Sequence, residues 1–292
     1  MEKRKKRRSP RVPKKFGILI SRIPAVKPLY PLYLAKQLYL DERTLSLPRL
    51  PEGLDGLRIA YASDIHYGKY LDRKRLCALT DALNALEADL MILGGDYGED
   101  AECTLAFWRD IPDLQAKLGV CGVIGNHDLR GANAAQISQA MRRRGVTPLV
   151  NGLITLKHGG CRFAVCATDD AAMGCPDYSR VAKRAAQEPF VIYAPHSPDA
   201  LAEAYTVSEK PFFDLALCGH THGGQIAVFG VAPRVSSLLG WRYGNRYRSG
   251  VLCERGVTVF ISNGVGTSWL PVRLGAKPQY HLITLKRPEN NA

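Results

Sequence analysis

No stretch of this 292-residue sequence approaches the ~18 to 20 consecutive apolar residues that a membrane-spanning helix requires. The nearest approaches at the start, Phe16 to Ile20 and Leu38 to Leu40, are cut short by Ser, Arg, Lys and Pro, so the body is not expected to cross a bilayer. Export is not expected either, because the ~7 to 15 uninterrupted apolar residues of a secretory signal are broken here by Arg22, Pro24, Lys27 and Pro28. The eight cysteines include no C-x-x-C pair, which excludes an all-cysteine structural zinc site, and a chain this long needs no disulfide staples. Reduced thiols in a cytosolic setting are expected, with Cys77, Cys121, Cys166 and Cys218 in apolar surroundings. Internal repeats are absent, and no Pro/Gly/Ser linker divides residues 50–286.

Acidic residues are also in short supply, 27 against 40 basic ones, but the imbalance is local. Residues 1–15 hold nine basic residues and only Glu2, a charge of +8, so the other 277 residues carry only +5. Anion attraction therefore belongs to a tail and not to a nucleic-acid-binding domain, and no base-stacking or groove-reading module accompanies it. Near residue 16 the tail changes to Pro-punctuated, apolar and tyrosine-rich sequence that includes Leu29, Tyr30, Leu32, Tyr33, Leu34, Leu38, Tyr39 and Leu40. Residues 1–40 read as an appendage, for which two readings stand. One is a peripheral anchor on anionic lipid; the other is a basic tail followed by a segment packed on the domain. Residues 41–56 read as a connector, 57–286 as the main domain and 287–292 as a C-terminal tail.

With 46% hydrophobic residues the chain can bury a core, which excludes disorder as the whole answer. From Leu57 onward strands and helices alternate. Leu57 to Ala62 reads as a strand, and Asp72 caps a helix whose stripe is Leu76, Leu79, Leu83, Leu86 and Leu90. Strands are expected at Leu90 to Leu93, Gly119 to Ile124, Leu153 to Leu156, Arg162 to Ala167, Phe190 to Tyr193, Leu215 to Cys218, Val257 to Ser262 and His281 to Leu285. Helices are expected around Ala132 to Arg144, Tyr178 to Gln187 and Asp199 to Tyr205. The pattern is that of a layered α/β domain.

Five of these strands end in polar, ligand-type residues. Asp64 and His66 (SDIHYG) follow the first, Asp96 (LGGDYG) the second, and Asn126, His127 and Asp128 (IGNHD) the third. His196 (YAPHSP) follows Phe190 to Tyr193, and His220 and His222 (CGHTHGGQ) follow Leu215 to Cys218. In open α/β sheets the crevice outside the carboxyl ends of strands is the usual ligand site, so residues far apart in sequence can converge there. Singly, such a His is more often a hydrogen-bonded structural residue and such an Asp a helix cap. Jointly that explanation fails, because five of the seven histidines fall in these motifs, while His158 and His281 read as a turn residue and a strand residue. Gly94, Gly95, Gly125, Gly219, Gly223 and Gly224 flank the set, serving turns or close approach to a ligand. Carboxylates, imidazoles and one carboxamide suit divalent Mn, Fe or Zn. Two such ions about 3.5 to 4 Å apart need a bridging carboxylate, for which Asp96 is the natural choice, and they could share a hydroxide that attacks phosphorus.

The ordered set D-x-H, G-D, G-N-H-D, H and G-H-x-H resembles the calcineurin-like metallophosphoesterase family over about residues 57–286. The segments LDGLRIAYASDIH, GHTHGGQI and SNGVGTSWLPVRLG are similar to a membrane-associated bacterial branch containing phosphodiesterases and some UDP-2,3-diacylglucosamine pyrophosphatases. The resemblance implies a four-layer sandwich of two mixed β-sheets flanked by helices. It also implies a hydrolase of phosphoester or phosphoanhydride bonds with two divalent metal ions. Asp64, His66 and His222 would hold the first ion, Asn126, His196 and His220 the second, and Asp96 would bridge. His127 resembles the histidine that faces the leaving-group oxygen as general acid or positive stabiliser. Many phosphoprotein phosphatases of the family orient that histidine with an aspartate three residues after the bridging one. Glu99 stands there in this chain, with Asp128 as the alternative.

Between Val231 and Gly256, Arg234, Arg242, Arg246, Arg248 and Arg255 interleave with Trp241, Tyr243 and Tyr247. This composition suits a headgroup layer or a phosphorylated-lipid pocket, and equally an ordinary solvated loop. Arg273 is a candidate clamp for a substrate phosphate, or the partner of a structural carboxylate. Three function classes follow. The first is a two-metal hydrolase of a phosphorylated lipid or nucleotide-linked substrate, peripheral on the cytosolic membrane face. The second is a soluble broad-specificity phosphatase or nucleotide phosphodiesterase, and the third a non-catalytic metal-binding scaffold, against which the intact ligand set and His127 argue. No protein partner is evident.

Overall fold

Short apolar strands such as Leu90–Leu93 have no polar face, which requires cover on both sides, and the fold supplies it. The computed structural model describes residues 35–227, 232 and 244–288. Two six-stranded sheets form from β1 (Tyr39–Ser46), β2 (Arg58–Ala62), β3 (Leu90–Leu93), β4 (Val120–Gly122), β5 (Val146–Pro148), β6 (Gly152–His158), β7 (Cys161–Ala167), β8 (Val191–Tyr193), β9 (Leu215–Cys218), β10 (Gly250–Glu254), β11 (Val257–Ile261) and β12 (Gln279–Lys286). The first sheet runs β1-β12-β2-β3-β4-β5 and the second β10-β11-β9-β8-β7-β6. Both are mixed. In the first, β2, β3, β4 and β5 are parallel and β12 antiparallel to β2. In the second, β11, β9, β8 and β7 are parallel, with β10 and β6 antiparallel at the edges.

Alternation along each strand divides the core into layers. Ile59, Tyr61, Leu90 and Ile92 of the first sheet join Phe163, Val165, Ile192, Leu215 and Leu217 of the second in one buried cluster between the sheets. The intervening residues Ala60, Met91 and Leu93 pack outward against α1 (Arg73–Asn84), α2 (Ala101–Asp110) and α3 (Ala134–Arg143). On the far face Ala164, Tyr193 and Ala216 meet α4 (Tyr178–Ala185) and α5 (Ala200–Ala204). This is the expected sandwich of two mixed sheets between helices. Each fully buried Leu, Ile or Phe contributes about 1.5 to 3 kcal/mol, so the inter-sheet layer and the helix-covered faces all contribute substantially to stability.

Asp72 caps α1 as expected, accepting from the Arg75 amide at 3.0 Å, and Leu76, Leu79 and Leu83 are buried. The connector reading of 41–56 is corrected. Residues 39–46 are an edge strand paired in parallel with β12, and Leu45, Leu47, Leu50 and Leu54 belong to the inter-sheet core. The charged, half-exposed sequence YLDERTLS hides this strand, because an edge strand tolerates polar residues that a central one does not. α2, β5 and β10 are further elements that periodicity did not single out. All eight cysteines are free; Cys121, Cys166 and Cys218 are buried, while Cys77 is only partly so. Residues 1–34 of the N-terminal appendage and 289–292 of the C-terminal tail lie outside the described residues, as do Arg234, Trp241, Arg242 and Tyr243. No helix among the described residues is long and apolar enough to cross a membrane.

Candidate metal centre

Both parallel runs point their carboxyl ends toward the same side of the sandwich, where the polar residues cluster. The backbone there is strained. Asp64, His66, Asp96, His220 and His222 all have φ between 50° and 69°, the left-handed region that non-glycine residues avoid. Each such conformation costs about 1 to 3 kcal/mol and persists only where its surroundings over-determine it. The β2 and β3 ends brace each other, the Asp64 amide donating to Gly95 O at 2.9 Å and the His66 amide to Asp96 O at 3.1 Å. Gly125 shows why no side chain fits here: a Cβ would lie 2.2 Å from Asp96 Oδ1.

Two groups of donors face each other across this crevice. Asp64, His66 and His222 form one, and Asp96, His196 and His220 the other. In the first, His66 Nε2 and His222 Nε2 are 3.1 Å apart, and His222 Nε2 is 3.7 Å from Asp64 Oδ1. In the second, His196 Nε2 lies 3.3 Å from His220 Nδ1 and 3.3 Å from Asp96 Oδ2. Asp96 Oδ2 also lies 3.7 Å from His66 Nε2, so this oxygen reaches both groups. Asp64 accepts from the His220 amide at 2.8 and 3.0 Å, and Asp96 Oδ1 from the His127 amide at 2.8 Å.

Divalent cations fit this arrangement. Asn126 Oδ1 is buried with no hydrogen-bond partner, an acceptor that a cation would satisfy. His196 donates Nδ1–H to Gly94 O at 2.7 Å, which leaves the Nε2 lone pair directed at Asp96 and free to ligate. The donor set, carboxylate and imidazole without thiolate, is that of Mn, Fe or Zn.

Electrostatics divide the imidazoles into two kinds. Burial opposes the charged form of His66 and His196, but Glu99, Asp96 and Asp64 raise the first, and Asp96, Asp64 and Asp170 lift the second well above its usual value. Burial and the neighbouring His196 push His220 down to about 3, while burial, His66 and Arg273 hold His222 well below its usual value. Burial would raise the Asp96 carboxyl, yet the imidazoles of His196, His127 and His66 hold it well below the usual carboxylate range.

His127 lies beside the first group, its ring edge-on to His66 with centroids 4.7 Å apart, and with His66 and Glu99 it forms a third set of close donor atoms. Its Nδ1 donates to Glu99 O at 3.0 Å and lies 3.3 Å from Glu99 Oε2, so the longer Glu99 side chain does reach it. Glu99 Oε1 is 3.4 Å from His66 Nδ1, which places one carboxylate between a candidate ligand and the candidate acid. Asp128 does something else. Its two oxygens accept from the amides of Asp96, Tyr97 and Gly125 and from the Thr104 hydroxyl, so it ties the loops together and is not the group that orients His127.

Arg273 is also corrected. It is fully buried and donates to Gly266 O, His222 O and Ala276 O, with Nη2 3.1 Å from His222 Nδ1, so it straps the His222 loop and is closed to a substrate phosphate. Among the described residues no carboxylate pairs with it; main-chain carbonyls and His222 take its donors instead. Arg248 and Arg255 of the arginine-rich segment likewise donate to Gly223 O and Tyr205 O, and Arg246 pairs with Glu254 at 3.1 Å. Sequence reading passed over Asp170, a buried carboxylate just beyond β7 that acts on the charge of His196. The T-D-D run after a strand was the available signal.

A two-sheet sandwich that gathers two such groups of donors at its strand ends is built to bind metal. The family model for calcineurin-like phosphoesterases matches residues 57–224, and this chain belongs to that family. It is therefore a metallophosphoesterase, a hydrolase of phosphoester bonds. It is 31% identical over 249 residues to metallophosphoesterase YkuE of Bacillus subtilis (strain 168), covering 84% of each chain. It is 28% identical over 239 residues to phosphodiesterase YaeI of Escherichia coli (strain K12), covering 78% of this chain and 82% of that one. A transmembrane protein with metallophosphoesterase domain from Danio rerio is 24% identical over 255 residues, which are 83% of this chain and 56% of the longer protein.

Proposed function

We propose that this chain hydrolyses a phosphodiester or pyrophosphate with two divalent ions. Asp64, His66 and His222 would hold one, Asn126, His196 and His220 the other, and Asp96 would serve both. The observation that carries this reading is Asp96 Oδ2, at 3.3 Å from His196 Nε2 and 3.7 Å from His66 Nε2. When bound, the ions activate water for attack at phosphorus and stabilise the oxyanions that develop. The chain's own groups do the rest. Glu99 accepts the Nδ1–H of His127 at its carbonyl and sets its carboxylate beside the same nitrogen, which fixes the ring and leaves Nε2 as the nitrogen to serve the leaving oxygen. The Asp96 contact to the His127 amide keeps that acid in register with the bridging carboxylate.

The substrate is a phosphorylated lipid or nucleotide-linked compound met at the cytosolic membrane face. The basic residues of 1–15 support the location, since each basic residue near an anionic surface contributes about 1 kcal/mol. The name of YaeI, a phosphodiesterase, supports a diester. The test is hydrolysis of bis(p-nitrophenyl) phosphate and p-nitrophenyl phosphate by metal-stripped protein refilled with Mn²⁺, Zn²⁺, Fe²⁺ or Mg²⁺. Turnover restored by metal and lost in Asp96→Asn is expected, with the diester favoured; protein that binds no metal would sink the assignment. Pelleting with anionic liposomes, with and without residues 1–40, tests the membrane face and separates it from a soluble broad-specificity phosphatase.

A further inference from the structure

Outside the donor set, the structure holds a second chain of titratable side chains. Ser262, just beyond β11, His281 on β12 and Asp41 on β1 are joined in the order of a nucleophilic triad. Ser262 Oγ lies 2.7 Å from His281 Nε2, and His281 Nδ1 lies 3.1 Å from Asp41 Oδ2. A nucleophile needs access to substrate, and Ser262 is fully buried, with its Oγ also accepting from the Gly264 amide at 2.9 Å. The protons run one way: Gly264 N–H to Ser262, Ser262 O–H to His281 Nε2, and His281 Nδ1–H to Asp41. Every member is satisfied by its neighbours, which suits a rigid support and not a reacting group. The rings of Tyr61 and Phe260 pack on His281 with centroids 6.2 and 4.8 Å away, fixing the imidazole plane.

The amide at the end of this chain belongs to a turn that wraps Asp64. The Val265 amide donates to Ser63 O at 3.0 Å and the Gly266 amide to Asp64 O at 2.7 Å. Gly264 has φ +68°, and a Cβ there would lie 2.6 Å from Asp64 Cβ, so its backbone presses directly on that residue. Asp64 sits at φ 53°, a conformation its neighbours must impose. Three consecutive amides of the turn are therefore committed, the first to the Ser262 hydroxyl and the next two to the strained segment itself.

We infer that Asp41, His281 and Ser262 are positioning residues for Asp64: a buried relay, anchored on the edge strand β1, that holds the turn 262–266 against this metal ligand. The inference rests on the donor set proposed above. Partners behind a metal ligand typically change affinity or activity by about 10- to 100-fold.

The experiment is Mn²⁺ titration of the full chain by calorimetry, for the parent, Ser262→Ala and His281→Phe, each also in an Asp64→Asn background, with thermal unfolding of the metal-free proteins alongside. Expected is a loss of about 10-fold in affinity for one ion in each single variant, with no further loss when Asp64 is already Asn, because coupled residues are not additive. Affinity within twofold of the parent, or the same loss in the Asp64→Asn background, overturns the relay. Should either core variant fail to fold, Asp41→Ala on the edge strand decides by the same readout: a loss confined to the Asp64 background supports the relay and unchanged affinity rejects it. A parent that binds no Mn²⁺ overturns the donor set and the relay together, whereas a parent that binds and variants that match it overturn the relay alone.

Discussion

At the ends of β2, β3 and β4 the first sheet presents Asp64, His66, Asp96, Asn126 and His127, whereas the second sheet presents only His196, His220 and His222 at the ends of β8 and β9. The difference is chemical as well as positional. Both carboxylates of the donor groups, Asp64 and Asp96, come from the first sheet, together with the candidate acid and its Glu99 partner, so on the proposed reading that sheet carries the bridging charge and the proton chemistry. The second sheet contributes imidazoles, one of which, His196, is oriented by a carbonyl from across the crevice, Gly94 O. Both donor groups draw on both sheets, whereas His127 and Glu99 come from the first alone, so a change on the second sheet can disturb ion holding and leave that pair intact.

Asp96→Asn should produce the largest effect, reducing turnover to that of metal-free protein at any Mn²⁺ concentration, because neither sheet can replace the shared oxygen. His196→Ala, on the second sheet, should lose one ion yet regain turnover in excess Mn²⁺; failure of metal rescue there would erase the distinction between the sheets. His127→Ala is expected to lower kcat by about 10²- to 10⁴-fold while metal content stays at the parental level, measured by elemental analysis of the same samples. Loss of metal in that variant would place His127 among the ligands instead. Glu99→Gln, which removes charge from both His66 and His127, should cost about 10- to 100-fold in kcat and shift the acidic limb of the pH profile, a shift that a purely structural role would not give.

Proton release on metal binding gives the smallest and most direct reading of the two kinds of imidazole. His66 and His196 have raised pKa values in the folded protein and must surrender a proton to ligate, whereas His220 at about 3 and His222 are already neutral. Apparent Mn²⁺ affinity should therefore fall as pH drops through the raised values and level off above them. Calorimetry in buffers of different ionisation enthalpy should show net proton release as the two groups load, from His66 in one and His196 in the other. Zero release would mean that the two groups of imidazoles do not differ.

Much of this could be read from residues alone where a strand is buried on both faces. Leu90–Leu93 and Leu215–Cys218 are bounded as their apolar runs suggest, and Asp96 and His220 follow them at once. β1 escaped because half its residues face solvent and carry charge, so no period marks it as part of the sheet. The sequence leaves Arg273 as a phosphate clamp or a carboxylate's partner and Asp128 as the alternative to Glu99, since an arginine or aspartate next to a motif looks the same whether it reaches outward or is buried in main-chain hydrogen bonds. His281 reads as an ordinary strand residue until Asp41, 240 positions away, is seen beside it.

By itself the sequence determined the element types of the buried strands, through local periodicity, and the family and the candidate donor residues, through the ordered motifs and the side chains able to ligate a cation. Only the tertiary structure decided how closely these donors stand, that Glu99 touches His66 as well as His127, and that Arg273 is a strap. Those outcomes depend on how two sheets stack and how strained turns are held, and such long-range packing leaves no periodic trace along the chain.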